Sequence, residues 1–452
     1  MADPPIAERV AVPFRGPGSG VGELSWGQAD IWQAMVRQRN WLPMGGWKRL
    51  PPGTGIDEVV EDVSYVVSRY QPMRTRLRFT DGRPQQVLFA TGETHVDVID
   101  GDSCPEEDLD DLARRVQDWY QQTPYDFAGE WPLRVGVIRH HGVLTHHIAI
   151  MCHLVSDGIG ADVIVREAVE RPATPVSGMQ PMEQARWQAG PAGRRQHAAA
   201  IRHWESVLRS VPPRRFPPTT ERPEPRHWRG DFSSPALRLA VQALTARSNV
   251  DSTQVMLTVF ALAMAHATGV NPVVLRPMVS NRFRPGLGDV VAMLAQWGLC
   301  SLDIAGLPFA DALGAVGKVT MTAYKHAYYD PTEMAALVER IAAERGPGFE
   351  VGAYFNDRRR QTRHGFGGQP VPEPDDIEKA LPRSDFRWTI KQHDPFEPLI
   401  VHVDDFGDTG DALNVVIFMD SHIISPAMGE GLPRAMEEIA AGAALAASGR
   451  LP

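Results

Sequence analysis

Residues 144–171 read LTHHIAIMCHLVSDGIGADVIVREAVER, and this stretch decides how the rest of the chain is organised. Through Cys152 the residues are apolar, β-branched or histidine, the pattern of a strand whose successive side chains face opposite ways. His147, Ala149, Met151 and His153 fall on one face; Ile148, Ile150 and Cys152 fall on the other. From Ala161 onward, Val163, Ile164, Glu167 and Ala168 recur at helical spacing. The order is therefore strand, tight turn, helix. Asp157 and Gly158 close the turn, where glycine permits a positive φ or a close backbone approach. Upstream, PLRVGVIRH (132–140) reads as a partner strand, joined through a turn at His140-His141-Gly142.

Working outward, LSWGQADIWQAMVRQR (24–39) has helical spacing, with Ser25 placed as an N-cap. Residues 60–79 open as a helix with Val63, Val66 and Val67 on one stripe, break at Pro72, and continue as a strand at Arg76–Phe79. Asp81-Gly82 is a hairpin turn into a second strand. The Pro-, Gly- and Ser-rich residues 171–181 read as a linker, and 182–210 as a polar helical stretch. Residues 211–230 read as another connector, too polar for a core element. A second series follows: a strand at ALRLAV (236–241), a helix over 251–268, a strand at PVVLRPMV (272–279), and an Ala-rich helix over 431–448. No repeat of 20–50 residues is visible.

Composition bounds the function. At 452 residues the chain is long enough for two or three domains, and 43% hydrophobic with 22% charged residues is the balance of a globular protein. Lys+Arg 46 against Asp+Glu 55 gives a net charge of −9, so nucleic acid is not expected as the main partner. No run of apolar residues is long enough to span a bilayer, and the start MADPPIAERVAVPF has no signal-like apolar core, so no membrane partner is expected. The three cysteines, Cys104, Cys152 and Cys300, form no CxxC pair. Neither a disulfide framework nor a zinc site is expected, and the reducing cytoplasm is the expected compartment. The doublets His140-His141 and His146-His147 are no metal site, because adjacent strand residues face opposite ways.

His153 stands at the carboxyl end of an apolar strand, just before the turn. An imidazole there can serve as a general base near neutral pH, or can simply bond its own turn; the residues alone leave both open. The Gly158 N–H, at the entry to a helix, can face an anion. Alternation turns Cys152 away from His153, which argues against a thiol–imidazole pair.

HxxxDG between an apolar strand and a helix resembles the HHxxxDG signature of the condensation domains of nonribosomal peptide synthetases, in the chloramphenicol-acetyltransferase-like superfamily. The neighbours agree in order. Ser25, Gln28, Ile31 and Trp32 are similar to the family's S-x-x-Q-x-x-[LI]-W opening. Arg69–Thr75 is similar to its RHExLRT element, and Tyr125-Asp126-Phe127 with Pro132-Leu133-Arg134 to its approach to the active strand. Ser280–Pro285 resembles its N-R-x-R-P turn, Val291–Leu299 its VGMFVNTL segment, and Phe355-Asn356 falls where a later motif belongs.

The resemblance implies an α/β (α+β two-layer) fold: two chloramphenicol-acetyltransferase-like lobes in a V-shaped pseudo-dimer, with the active site between them. The lobes would be 1–178, carrying HxxxDG, and 179–452, with the connector helix, latch and floor loop. It implies His153 and Gly158 as catalytic residues. Cys152 (in place of the first His) and Asp157, paired with Arg282 of the other lobe, would be structural. Ser25, Gln28, Trp297 and Asn356 would line the substrate tunnel, with no metal. Gln296 in place of Asn, and Tyr70-Gln71 in place of His-Glu, are further departures from the pattern.

The implied activity is a stand-alone acyltransferase of natural-product biosynthesis. It would join an acyl or aminoacyl thioester to a small-molecule amine or alcohol, amide formation favoured. The donor would be a phosphopantetheine thioester on a carrier protein in trans, or acyl-coenzyme A, with no tightly bound cofactor. Two rivals remain: a catalytically silent relative that recruits partner enzymes, and a coenzyme A-dependent O-acyltransferase.

Overall fold

The computed structural model describes residues 3–360, 366, 368–405 and 410–446. The chain forms two compact units, Met1–Arg195 with Ser280–Ala295, and Gln196–Val279 with Gln296–Pro452.

The first unit holds strands β1 (Ile6–Arg15), β2 (Gly20–Glu23), β3 (Pro43–Arg49), β4 (Thr75–Thr80), β5 (Arg83–Leu88), β6 (Thr91–Asp100), β7 (Leu133–His140) and β8 (Val143–Cys152). Its helices are α1 (Trp26–Gln38), α2 (Ile56–Arg69), α3 (Leu109–Gln122), α4 (Gly158–Glu170) and α5 (Pro181–Ala189). A five-stranded sheet runs β1-β6-β7-β8-β3, and β2, β5 and β4 form a small separate sheet. Only β6 and β7 of the larger sheet run parallel. Alternation along β8 sends its side chains into two cores. Ile148, Ile150 and Cys152 pack with α3 residues Leu112, Ala113 and Val116. On the other side, Val63, Val66 and Val67 of α2 and Val163 and Ile164 of α4 cover Val96, Val135 and Val137.

Helix α6 (Pro191–Ser210) leads into the second unit. That unit contains β9 (His227–Ser234), α7 (Pro235–Ser248), α8 (Ser252–Thr268), β10 (Val273–Val279), β11 (Gln296–Trp297), β12 (Cys300–Leu302), α9 (Phe309–Lys325), α10 (Pro331–Arg345), β13 (Ala353–Asp357), α11 (Pro374–Ala380), β14 (Asp385–Gln392), β15 (Leu399–Asp404), β16 (Leu413–Asp420) and α12 (Pro426–Ala446). Its sheet runs β11-β10-β13-β15-β16-β9-β14, with β12 on β10. One face (Phe355, Val401, Val415, Ile417, Phe232) packs on α7, α8 and α12 in the larger core. Over β10 the opposite face is covered by Trp204 of α6 and Leu337 of α10. Among the described residues no single helix is long and apolar enough to cross a membrane; the bent α7–α8 pair matches by length and composition, and its apolar residues lie in this core.

Mixed helix and sheet is the expected class, and three details differ from the sequence reading. ALRLAV is not a strand but part of α7: Ser234 caps it, accepting from the Leu237 N–H, and Pro235 sits in its first turn. The strand lies just before it, as β9, between β16 and β14 inside the sheet. Its alternation is hidden because an inward position is Gly230, where a Cβ would stand 2.5 Å from the Phe386 ring. Finally, residues 179–195 and 280–295 both go with the first unit, not with a lobe starting at 179. Helix α5 packs on β2, the Met179 N–H donates to the Gly286 carbonyl, and Val291 enters the core under α2. The last two residues of the expected 431–448 helix lie outside the described residues.

Candidate active site

Strand β8 ends at Cys152, and residues 153–157 turn the chain into α4. His153 has its Nδ1 3.0 Å from the Ser156 carbonyl oxygen. A carbonyl only accepts, so Nδ1 carries the proton and Nε2 presents a lone pair. Burial pushes the imidazole below its ordinary pKa, an effect that the backbone bonds and the Asp157 charge only partly offset. The resting ring is thus neutral, with Nε2 as its basic atom.

Asp157 is the N-cap of α4. Its Oδ1 accepts from the Gly160 N–H (2.9 Å) and from Arg282 Nη2 (2.6 Å), and Oδ2 accepts from the Leu294 N–H (3.2 Å). Arg282 in turn donates through Nη1 to the carbonyls of Gly288 (3.0 Å) and Val290 (2.7 Å). Both side chains of the pair are more than nine-tenths buried. The pair is the one the resemblance implies, but Arg282 belongs to the same compact unit as Asp157, not to the other.

Gly158 begins α4 without a positive φ, and a Cβ there would meet nothing within 4 Å. The close approach belongs instead to Gly160, where a Cβ would lie 2.1 Å from Ser156 Oγ and 3.0 Å from Arg282 Nη2. Ser156, fully buried, donates from Oγ to the Asp157 carbonyl (3.0 Å) while its own carbonyl holds His153. Sequence reasoning missed both residues; the second glycine of SDGIG was the available signal.

Cys152 is fully buried among the α3-side residues, and burial pushes its thiol up to about 12. Such a thiol stays protonated and packs as a small apolar group. Ser25 and Gln28 form a capping box on α1: the Gln28 N–H donates to Ser25 Oγ (3.4 Å), and the Ser25 N–H to Gln28 Oε1 (3.0 Å). Both are buried. Trp297 and Asn356 lie in the second unit. The Trp297 ring meets Tyr354 edge-on at 4.7 Å, and Asn356 is on β13 beside His402 of β15. Buried Gln296 bonds Tyr329 through its Nε2 (3.1 Å to the carbonyl) and Oε1.

The far half of α4 is tied as firmly as its start. Glu167 accepts from Arg69 Nε at 2.7 Å and from the Tyr70 hydroxyl, both at the end of α2. Burial works to raise the Glu167 carboxyl, but the bonds from Arg69 and Tyr70 outweigh it and hold the group below its usual range. Tyr70, read with Gln71 only as a departure from His-Glu, thus contributes with Arg69 a clamp on the helix that follows the motif. Among the described residues no cluster of three or more His, Cys, Asp or Glu side chains is arranged to hold a metal.

Comparison with known proteins gives a consistent relationship. The condensation-domain family profile matches residues 49–362. Phosphinothricin tripeptide synthetase PhsC of Streptomyces viridochromogenes is 24% identical over 382 residues, covering 77% of this chain and 34% of its own length. A bassianolide nonribosomal cyclodepsipeptide synthetase of Beauveria bassiana is 22% identical over 327 residues, covering 68% of this chain and 10% of its own. These two curated relatives are far longer: the chain spans 34% of the first and 10% of the second. Among solved structures, a condensation domain mediating chain release from the enacyloxin polyketide synthase superposes with a TM-score of 0.73 at 19% identity, covering 97% of this chain and 85% of that one. SgcC5 protein from Streptomyces globisporus superposes at 0.66 with 15% identity, covering 94% of this chain and 99% of that one.

Proposed function

This chain belongs to the condensation-domain family, and we propose that it is an active acyltransferase that uses His153 to pass an acyl or aminoacyl group from a thioester to an amine. Condensation domains in general are acyltransferases forming amide or ester bonds. The observation that carries the reading is the His153 ring, with Nδ1 held by the Ser156 carbonyl and Nε2 left as the base. In the reaction, Nε2 takes the proton from the attacking nitrogen as it adds to the thioester carbonyl. The thiol then leaves, with the proton returned to its sulfur. The amide bond forms, the C–S bond breaks, and no acyl-enzyme is needed. The donor is a phosphopantetheine thioester on a carrier protein, with acyl-coenzyme A as the alternative carrying the same chemistry.

An amine acceptor suits this imidazole better than an alcohol. An α-amine of pKa near 7.7–8.0 is already about a tenth neutral at pH 7 and asks little of its base. A hydroxyl needs a stronger one, and burial has weakened His153 in that respect. The Gly158 N–H, in the first turn of α4 where helix N–H groups lack intrahelical partners, is assigned the role of receiving the oxyanion. Cys152 in place of a histidine does not favour a silent protein, since it serves the α3-side core.

The test is single-turnover coupling of a loaded carrier protein to a panel of amines and alcohols, read by mass spectrometry. His153→Ala should lose roughly 10²–10⁴-fold in rate. Wild-type turnover in that variant would remove His153 from the chemistry.

A further inference from the structure

The first unit holds a cavity of about 460 Å³, bounded by residues 3–5, the loop between β6 and α3, and α3 itself. Small-molecule sites measure roughly 300–1,000 Å³. Part of the lining is apolar: Leu112 and Trp119 of α3, and Pro105 of the loop. The Trp119 indole N–H donates to Asp3 Oδ1 (3.0 Å), which leaves the carbon part of the ring for apolar contact.

Opposite charges line the same cavity. Asp108 stands at the N-cap of α3 but makes no side-chain bond to the helix. Arg115 follows about two turns later, on the same side of α3. Both are exposed, and among the described residues neither makes an ion pair or a side-chain hydrogen bond. Asp100, also in the lining, gives one oxygen to the Asp102 N–H (2.9 Å) and keeps the other. Asp108 and Arg115 are about 10 Å apart along the helix axis, and the long Arg115 side chain leans back toward Asp108. An α-amino acid holds its ammonium and carboxylate about 3 Å apart. With a hydrogen bond of about 2.8 Å at each end it bridges roughly 8–9 Å, which suits that gap. An amine alone would leave Arg115 beside it without a counter-charge, and a carboxylate alone would be repelled by Asp100 and Asp108.

We propose that this cavity binds a free α-amino acid with a hydrophobic side chain. The ammonium meets Asp108 and Asp100, the carboxylate meets Arg115, and the side chain lies against Leu112, Pro105 and Trp119. None of these residues is assigned to acyl transfer, and the site stands apart from that reading.

The full chain, labelled with indole-¹⁵N tryptophan, is titrated with L-phenylalanine. Separate titrations use 2-phenylethylamine, which lacks the carboxylate, and 3-phenylpropionate, which lacks the ammonium. The Trp119 signal, assigned by its loss in Trp119→Phe, should shift saturably with L-phenylalanine, at least about tenfold more tightly than with either fragment. Asp108→Asn and Arg115→Met change exposed side chains without partners, so both should fold, and each should weaken the binding about tenfold. His153→Ala should leave it unchanged. No saturable shift at Trp119, a fragment that binds as tightly as phenylalanine, unchanged affinity in either charge variant, or loss of binding in His153→Ala would each overturn the proposal.

Discussion

A histidine whose Nδ1 proton is committed to a carbonyl has one free basic atom, and its protonation state then depends on how far burial opposes charge. At His153 burial prevails. The acid limb of kcat/KM should therefore lie below the ordinary histidine value of 6.5. The linkage sign follows from the same shift. The folded state resists a proton that the unfolded chain accepts, so the stability contributed by the neutral ring is complete above 6.5 and declines as pH falls below it. A pH–rate profile, paired with urea midpoints of wild type and His153→Gln, checks both; an acid limb above 6.5 would contradict the assignment. At this scale the sequence was informative about Cys152, which the period of two sends into the α3-side core with Ile148 and Ile150, without reference to any relative. It was silent about Ser156, whose contribution runs through a backbone carbonyl and leaves no mark on residue type.

Helix α4 carries the motif's second half and is held at both ends, by the Asp157–Arg282 pair at its start and by Glu167 with Arg69 and Tyr70 farther along. Gly160 sits in its first turn, where alanine would ordinarily gain up to about 1 kcal/mol in helix propensity. Here the added methyl meets Ser156 Oγ. We expect Gly160→Ala to be destabilising by about 1–3 kcal/mol and to slow turnover, because displacing Ser156 moves the carbonyl that holds His153. Ser156→Ala removes the obstructing hydroxyl, so the double variant should recover much of the loss. Chemical denaturation of the four proteins in this cycle measures the coupling; simple additivity would mean that the two side chains do not contend for the same space. The helix itself was legible from Val163 and Ile164, both buried as their spacing demands. Helix α7 was not. Leu237 and Leu239 alternate like a strand, and only the longer window to Leu244, with the Ser234-Pro235 start, reveals the helical period. Its mirror image is β9, where glycine at an inward position erases the alternation.

Across the whole molecule, the chain does not finish one unit before starting the next. Residues 280–295 return from the second unit to the first and bring Arg282, the Leu294 N–H and Val291 to the elements around α4. The Pro-rich residues 171–181 looked like a boundary because composition changes there, yet α5, just beyond, packs on β2. Such returns are invisible to composition, since they depend on which distant surfaces a segment completes. Their consequence is that residues 1–195 cannot be a self-sufficient fragment. Without 280–295 the buried Asp157 carboxylate loses its guanidinium, and breaking a buried pair costs about 3–5 kcal/mol. A domain's entire net stability is only about 5–15 kcal/mol, and the same cut also opens the core where Val291 packs. Residues 1–195 expressed alone should therefore give a poorly dispersed ¹H–¹⁵N spectrum. A peptide spanning 280–295, added in trans, should restore part of the dispersion, and the same peptide with Arg282→Ala should restore less. A well-dispersed spectrum from the fragment alone would mean that Asp157 is satisfied locally, by the first turn of α4 that it caps, and that the returning segment contributes little to the fold of this unit.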